Sequence, residues 1–282
     1  MLNKLTDRIY YMPNSNETDR PTLGVVCGDR YSLIVDSGNS PRHAREFLSE
    51  LEAMDIPPVK YLAITHHHWD HTFGIGEMNL TTIAHESTKE RLNKIKNLNF
   101  DEPSLEKYLQ DKIFNEFSVK CIKAEFPEGG DFALGHIDIT YKDSIEIDLG
   151  GITCIIKKVG GPHTDDSSII YIPEEKVMFM GDCAYGGTQD GVYGYHRKKL
   201  LDMIDIIESY DTEYYILSHE SLCDRKEIVN FWEQLRITGQ VVEESVSVEE
   251  AIKRFSDTYH REPSKDEAFF IKCFANIAYR DC

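Results

Sequence analysis

The segment Thr65-His66-His67-His68-Trp69-Asp70-His71 constrains this chain more than any other stretch of its sequence. It follows directly on Tyr61–Ile64, a run that reads as a strand, so its side chains emerge at a sheet edge from extended or looping backbone. In such backbone, residues two apart point the same way, so His66 and His68 can grip one metal ion together while Asp70 and His71 turn toward a neighbouring position. A helical zinc motif would space its histidines four apart instead. The bland reading is a surface histidine run or an expression tag, but a tag would be terminal and would lack the interposed Trp69 and Asp70. His163, Asp182 and His219 stand at the ends of other predicted strands. Each alone is an ordinary structural residue, but together they complete a set of imidazole and carboxylate donors that suits zinc, iron or manganese at an open catalytic site.

Around this segment short apolar runs alternate with breakers. Arg8–Met12, Thr22–Cys27 and Tyr31–Val35 read as strands between Gly, Pro and Asp. Ser40 before Pro41 is a helix N-cap with proline in the first turn, and Phe47, Leu48, Leu51 and Met54 then recur at helical spacing. A second strand-rich stretch covers Ile137–Ile145, Ile152–Val159, Ile169–Ile172 and Val177–Met180, with tight turns at Asp148-Leu149-Gly150-Gly151 and Pro173-Glu174-Glu175-Lys176. Ile204–Ile207 is helical and Tyr214–Leu217 a strand. Thr88–Phe117 reads as a pair of helices broken at Pro103, a helical insertion of about residues 88–120. From Asp224 onward the pattern is helical, with capping boxes at Ser247/Glu250 and Ser264/Glu267. The order predicts an α/β chain: two sheets stacked between helical layers over residues 1–222, and a helical C-terminal extension over 223–282.

Composition narrows the function classes. At 282 residues, 41% hydrophobic and 28% charged, the chain is neither a disulfide miniprotein nor a disordered tail. A formal charge of −18 repels polyphosphate, so no long nucleic acid is expected as a partner. No segment approaches the ~20 apolar residues of a membrane span, and Met1–Tyr11 holds no apolar stretch of signal-peptide length, so no membrane partner and a cytoplasmic location are expected. Seven cysteines without a CxxC pair point to reduced thiols rather than a disulfide framework or a cysteine-zinc finger.

The motifs resemble those of the metallo-β-lactamase-fold hydrolases: HxHxDH as His66, His68, Asp70 and His71; Gly161-Pro162-His163-Thr164; Phe179-Met180-Gly181-Asp182; and Leu217-Ser218-His219, with Asp36 similar to the family's early aspartate. The resemblance covers residues 1 to about 220 and implies an αββα sandwich of two mixed β-sheets flanked by helices. It also implies a dinuclear centre, with His66, His68 and His163 on one metal, Asp70, His71 and His219 on the other, and Asp182 bridging. By the same resemblance Asp36 is a buried carboxylate that orders the loops, and His67 and Trp69 are not ligands. Two divalent ions, zinc in the first instance and iron or manganese as alternatives, would share a hydroxide that Asp70 orients.

Within the family, flavodiiron proteins place glutamate where His68 stands, which disfavours redox chemistry. The lactamase subclass similar to this chain around Pro162–Pro173 carries cysteine where Asp182 stands, and Cys183 is one residue late. Glyoxalase II shares the aspartate and a helical tail but not the continuation Cys183-Ala184-Tyr185-Gly186-Gly187. The expectation is hydrolysis of a small ester, thioester or lactone. A phosphodiesterase or phosphate-ester hydrolase is the alternative, and a non-catalytic metal-binding protein the alternative of another class.

The loop Cys183–His196 follows the bridging aspartate and is rich in glycine and tyrosine, so Tyr185 and Tyr193 are candidate catalytic hydroxyls near a developing oxyanion. Arg197-Lys198-Lys199 opens the next helix, where cations gain nothing from the helix dipole, and hints at an anionic small-molecule substrate. The long gap between His71 and His163, including Phe126–Phe132, is expected to overhang the site as a lid or to serve as a homodimer contact. Phe269, Phe270, Phe274 and Ile277 recur at helical spacing and are expected to pack on the core.

Overall fold

The computed structural model describes every residue except 127–132, 190, 244–246 and 279–282. The first sheet runs β1 (Asn3–Lys4), β2 (Ile9–Met12), β3 (Leu23–Cys27), β4 (Ser32–Val35), β5 (Val59–Ala63), β6 (Thr81–His85) and β7 (Ile139–Tyr141), in that spatial order. Its first four strands pair antiparallel and the rest, from β4 onward, parallel. The second sheet is built from β8 (Ser144–Asp148), β9 (Thr153–Lys158), β10 (Ser168–Ile172) and β11 (Val177–Gly181). After a separate hairpin of β12 (Gly187–Gln189) and β13 (Val192–Gly194), β14 (Tyr214–Leu217) joins that sheet parallel to β11, and β15 (Cys223–Asp224) closes its edge. Both sheets are therefore mixed.

Period-two alternation explains the layers. Val26, Leu33 and Val35 of the first sheet meet Ile156, Ile170 and Phe179 of the second between the sheets. Their neighbours Val25 and Ile34 face the other way, onto α1 (Pro41–Glu52), where Ala44, Phe47 and Leu51 are buried. Met178 and Met180 likewise face Leu200, Met203, Ile204 and Ile207 of α7 (Arg197–Glu208). The sandwich closes at Gly24, where a Cβ would collide with the Phe179 ring across the interface. This is the αββα arrangement expected.

The remaining helices are α2 (Trp69–Thr72), α3 (Ile75–Met78), α4 (Glu86–Ile95), α5 (Glu102–Gln110), α6 (Glu116–Glu125), α8 (Arg225–Glu243), α9 (Val248–Tyr259) and α10 (Lys265–Ala278). They correct the sequence reading in several places. The insertion holds three helices rather than a pair. Pro103 lies in the first turn of α5, where a missing N–H costs nothing, and Asp101 caps that helix by accepting from the Ser104 N–H at 2.8 Å. A further break follows at Lys112, with φ of 57°, before Asn115 caps α6. The run Ile137–Ile145 is two strands, not one: β7 pairs with β6 and β8 with β9, so the chain changes sheets at Lys142 and Asp143. Residues 127–132 of the expected overhang lie outside the described residues.

The C-terminal helices share one hydrophobic cluster with the second sheet and α7, through Trp232, Leu235, Phe255, Phe270 and Phe274. Phe269 departs from its expected place: it is 50% exposed and stacks on Tyr193, with ring centroids 6.3 Å apart. No helix among the described residues is long and apolar enough to cross a membrane.

Candidate metal centre

The predicted ligand loops leave strands β5, β9, β11 and β14. Asp36, in the left-handed region at φ 59° just after β4, organises the first of them. Its carboxylate accepts the Thr65 N–H at 2.8 Å, the Thr65 hydroxyl at 2.9 Å and the His71 Nδ1–H at 2.7 Å. The Thr65 oxygen in turn lies 3.1 Å from His66 Nδ1. Both rings are thereby held by Nδ1 and present Nε2, as a metal-ligating imidazole held from behind does. The expected looping backbone is here a single helical turn, α2, with His68 as its N-cap; it swings Asp70 and His71 away from His66 and His68.

His163 follows β9 and donates its Nδ1–H to the Gly186 carbonyl at 2.9 Å. Asp182 follows Gly181, whose φ is 54° and where a Cβ would lie 2.7 Å from Thr65, so only glycine lets β11 close on the histidine loop. His219 follows β14. Two groups of donor atoms result, His66, His68, His163 and Asp182, and Asp70, His71, Asp182 and His219; within each, the atoms lie within 4.8 Å of one another. All seven predicted ligands are present, and Asp182 belongs to both groups. The distances are 3.4 Å from His163 Nε2 and 3.8 Å from His66 Nε2 to Asp182 Oδ2, and 3.4 Å from His71 Nε2 to Asp182 Oδ1. On the second group Asp70 Oδ2 is 3.0 Å from His71 Nε2 and 3.2 Å from His219 Nε2.

These residues fit a pair of cations. Among the described residues, His66 Nε2, His71 Nε2 and Asp182 Oδ1 are buried without a hydrogen-bond partner, an arrangement that costs stability unless something else bonds there. His68 Nδ1 and His163 Nε2 face each other at 2.9 Å, although both are potential lone-pair donors. Burial and neighbouring imidazoles push His66 well below the usual histidine range and His68 to about 3, which favours the neutral, ligating form. In the second group burial opposes charge, yet Asp70 and Asp182 outweigh it and raise His71 well above its ordinary value and His219 to about 10. Burial would lift Asp182 too, but His71 and His219 hold it well below the usual carboxylate range. The field that draws protons onto those imidazoles is one that draws a divalent ion.

His67 and Trp69 stay off the cluster, as expected. His67 Nδ1 lies 2.9 Å from Asp166, a buried carboxylate that also accepts from Thr88 Oγ1 at 2.7 Å and Arg91 at 2.8 Å, both on α4. Trp69 packs on Phe73. Cys183 is buried in the hydrophobic cluster behind the second sheet. Tyr185 flanks both groups, its ring centroid 6.3 Å from that of His163 and 6.2 Å from that of His219, and its oxygen accepts the His219 N–H at 3.2 Å. The Tyr193 oxygen instead accepts the Gly186 N–H at 2.8 Å and so braces the carbonyl that holds His163. Lys198 pairs with Asp202 and Lys199 with Asp165, so both lysines of the basic run are engaged by carboxylates of their own surroundings.

Three residues carry weight that the sequence reading passed over. Asp166 follows the His163 motif in a run of polar residues and gave a signal only by that position. Asp19 lies 3.6 Å from His219 Nδ1, and Glu125 joins α6 to the segment before β3; neither is near a motif in sequence.

Comparison with known proteins agrees with this geometry. The chain is 20% identical over 204 residues to a linear primary-alkylsulfatase of Pseudomonas sp. (strain ATCC 19151), covering 64% of this chain but 36% of that protein. Among solved structures, a stereoselective inverting sec-alkylsulfatase from Pseudomonas sp. superposes with a TM-score of 0.68 at 13% identity, over 99% of this chain and 50% of that one. A metallo-beta-lactamase from Pontibacter korlensis superposes with a TM-score of 0.58 at 16% identity, over 83% and 97%. The chain thus spans half or less of the two sulfatases. The sequence profile of the metallo-beta-lactamase superfamily matches residues 20–219, the span that contains every ligand above, and the chain belongs to that superfamily, with two donor groups that could hold a pair of metal ions.

Proposed function

We propose that this protein hydrolyses a small ester, thioester or lactone with two zinc ions. The observation that carries the reading is that Asp182 is shared by two donor groups, one of them with three imidazoles, the donor set that suits zinc. Bound there, two divalent ions would lower the pKa of a shared water toward neutrality and polarise the bond under attack.

The chain's own side chains then divide the work. Asp70 stays ionised: burial raises its carboxyl, but His71 and His219 beside it outweigh that. It can therefore accept a hydrogen bond from the attacking water and aim it. Tyr185 spends its oxygen on the His219 N–H and keeps its proton, because burial pushes the phenol well above its ordinary value. That proton is available to an oxyanion or a leaving group on the open side of His163 and His219. Tyr193 acts one step away, by holding Gly186 and through it His163.

A carbonyl substrate is favoured over a phosphodiester because the cations of the flanking segments, Arg20, Arg91 and Lys199, are each paired with a carboxylate. A second reading, hydrolysis of an alkyl sulfate ester, draws on the two alkylsulfatases among the relatives. The test is a panel of aryl and alkyl esters, an acyl thioester, a lactone, a bis-aryl phosphate, an alkyl sulfate and a β-lactam, run with wild type and Asp182→Ala. The expected result is turnover of the acyl substrates that disappears in the variant. Turnover confined to the sulfate would favour the second reading, and turnover confined to the phosphodiester would revive the phosphatase alternative. Activity unchanged in Asp182→Ala would contradict all three.

A further inference from the structure

Three of the four Nε2-presenting ligand histidines are held from behind: His71 by Asp36, His66 by Thr65 and His163 by the Gly186 carbonyl. His219 Nδ1 is buried and has no hydrogen-bond partner among the described residues. The group that faces it is Asp19, whose Oδ1 lies 3.6 Å away, a few tenths of an ångström beyond hydrogen-bond length. Asp19 is the turn residue of a tightly tied segment, in the left-handed region at φ 60°. Ser15 and Arg20 exchange two backbone hydrogen bonds of 2.9 Å around it, and the Thr18 carbonyl accepts from Asn39 Nδ2 at 2.7 Å. Thr18 Oγ1 and Arg20 both donate to Glu125 on α6, at 2.5 and 2.8 Å. Thr22 N–H, just beyond, donates to the Ser218 carbonyl at 2.7 Å, fastening this segment to the residue before His219.

We propose that Asp19 is a positioning residue for His219. Its carboxylate accepts a hydrogen bond from the His219 Nδ1–H and so directs Nε2 at the second donor group, and the insertion, through Glu125, keeps the carboxylate in place. The inference rests on the dinuclear reading. A carboxylate behind a metal-bound imidazole fixes its tautomer and orientation, and losing it weakens metal affinity by about 10- to 100-fold.

The experiment is a zinc titration of metal-free protein against a chromophoric chelator, resolving the two equivalents, for wild type, Asp19→Gly and Asp19→Asn. Glycine removes the carboxylate yet tolerates the positive φ, so folding is preserved, and apo-protein melting checks that. Asparagine keeps an oxygen that accepts the same hydrogen bond. Asp19→Gly is expected to weaken one equivalent by about 10- to 100-fold and leave the other unchanged, with most of the loss recovered in Asp19→Asn. Equal affinities in all three proteins, equal weakening of both equivalents, or an Asp19→Asn protein as weak as Asp19→Gly would each overturn the proposal. A wild type that binds a single equivalent would instead overturn the dinuclear reading, and this one with it.

Discussion

At the scale of single residues, the centre is made by what stands behind each ligand as much as by the ligands. The histidine-rich motif was legible because its spacing after a strand is diagnostic, and Asp36 because it closes a strand in the same family pattern. Asp19, Asp166 and Glu125 were not, because their roles come from tertiary contacts across long sequence separations. Glu125 shows the energetic side. Its side chain is wholly buried and accepts from Thr18, Arg20, Ser40 and Arg42. Burial would raise its carboxyl, but the hydrogen bonds from Arg20, Thr18 and Ser40 prevail and lower it from 4.5 to about 2. A depressed carboxylate stabilises the fold above the unfolded value and ceases to do so as pH falls through the folded one. Glu125→Gln is expected to lose about 3 kcal/mol at neutral pH in urea unfolding. The gap to wild type should then narrow as pH falls from about 4.5 toward about 2. A gap that widened in acid would show that Glu125 is not held ionised.

Elements were legible where a local signal is strong. The Ser264/Glu267 box forms reciprocally, with the Ser264 N–H donating to Glu267 at 2.7 Å and the Glu267 N–H to Ser264 Oγ at 3.2 Å. Ser264→Ala should cost about 1 kcal/mol. β6 was missed because Thr81-Thr82-Ile83-Ala84-His85 is short and half polar; it becomes a strand by lying parallel between β5 and β7. On α10, the apolar period overstated burial by one residue: Phe274 is buried against Tyr195 while Phe269 faces out over Tyr193. Phe274→Ala should therefore destabilise by about 3–5 kcal/mol, and Phe269→Ala by about 0.5 kcal/mol or less. Similar losses for the two in chemical unfolding would contradict this placement of α10.

For the molecule as a whole, the two sheets were predictable from the order of strands and helices, but the point of exchange between them, at Lys142 and Asp143, was not. Nothing in an apolar run says which partner strand will claim each half. The net charge of −18 is a weak guide to chemistry at the centre, where divalent ions would outweigh distant, screened surface charge. Because the folded chain gathers Asp36, Asp70 and Asp182 with imidazole nitrogens that have no partner among the described residues, metal binding there would be linked to folding. A chelator should lower the melting temperature, and readded zinc should restore it; a melting temperature indifferent to both would sever that link.

Two metal positions sharing Asp182 would form one hydrolytic centre. Its most direct test is the hydrolysis rate of the best panel substrate, recorded as zinc is added stepwise to metal-free protein. The expected result is an inactive apo-protein and a rate that rises until two equivalents per chain are bound, with neither step present in Asp182→Ala. A rate that reached its limit at one equivalent, or that was already full in the metal-free protein, would contradict it.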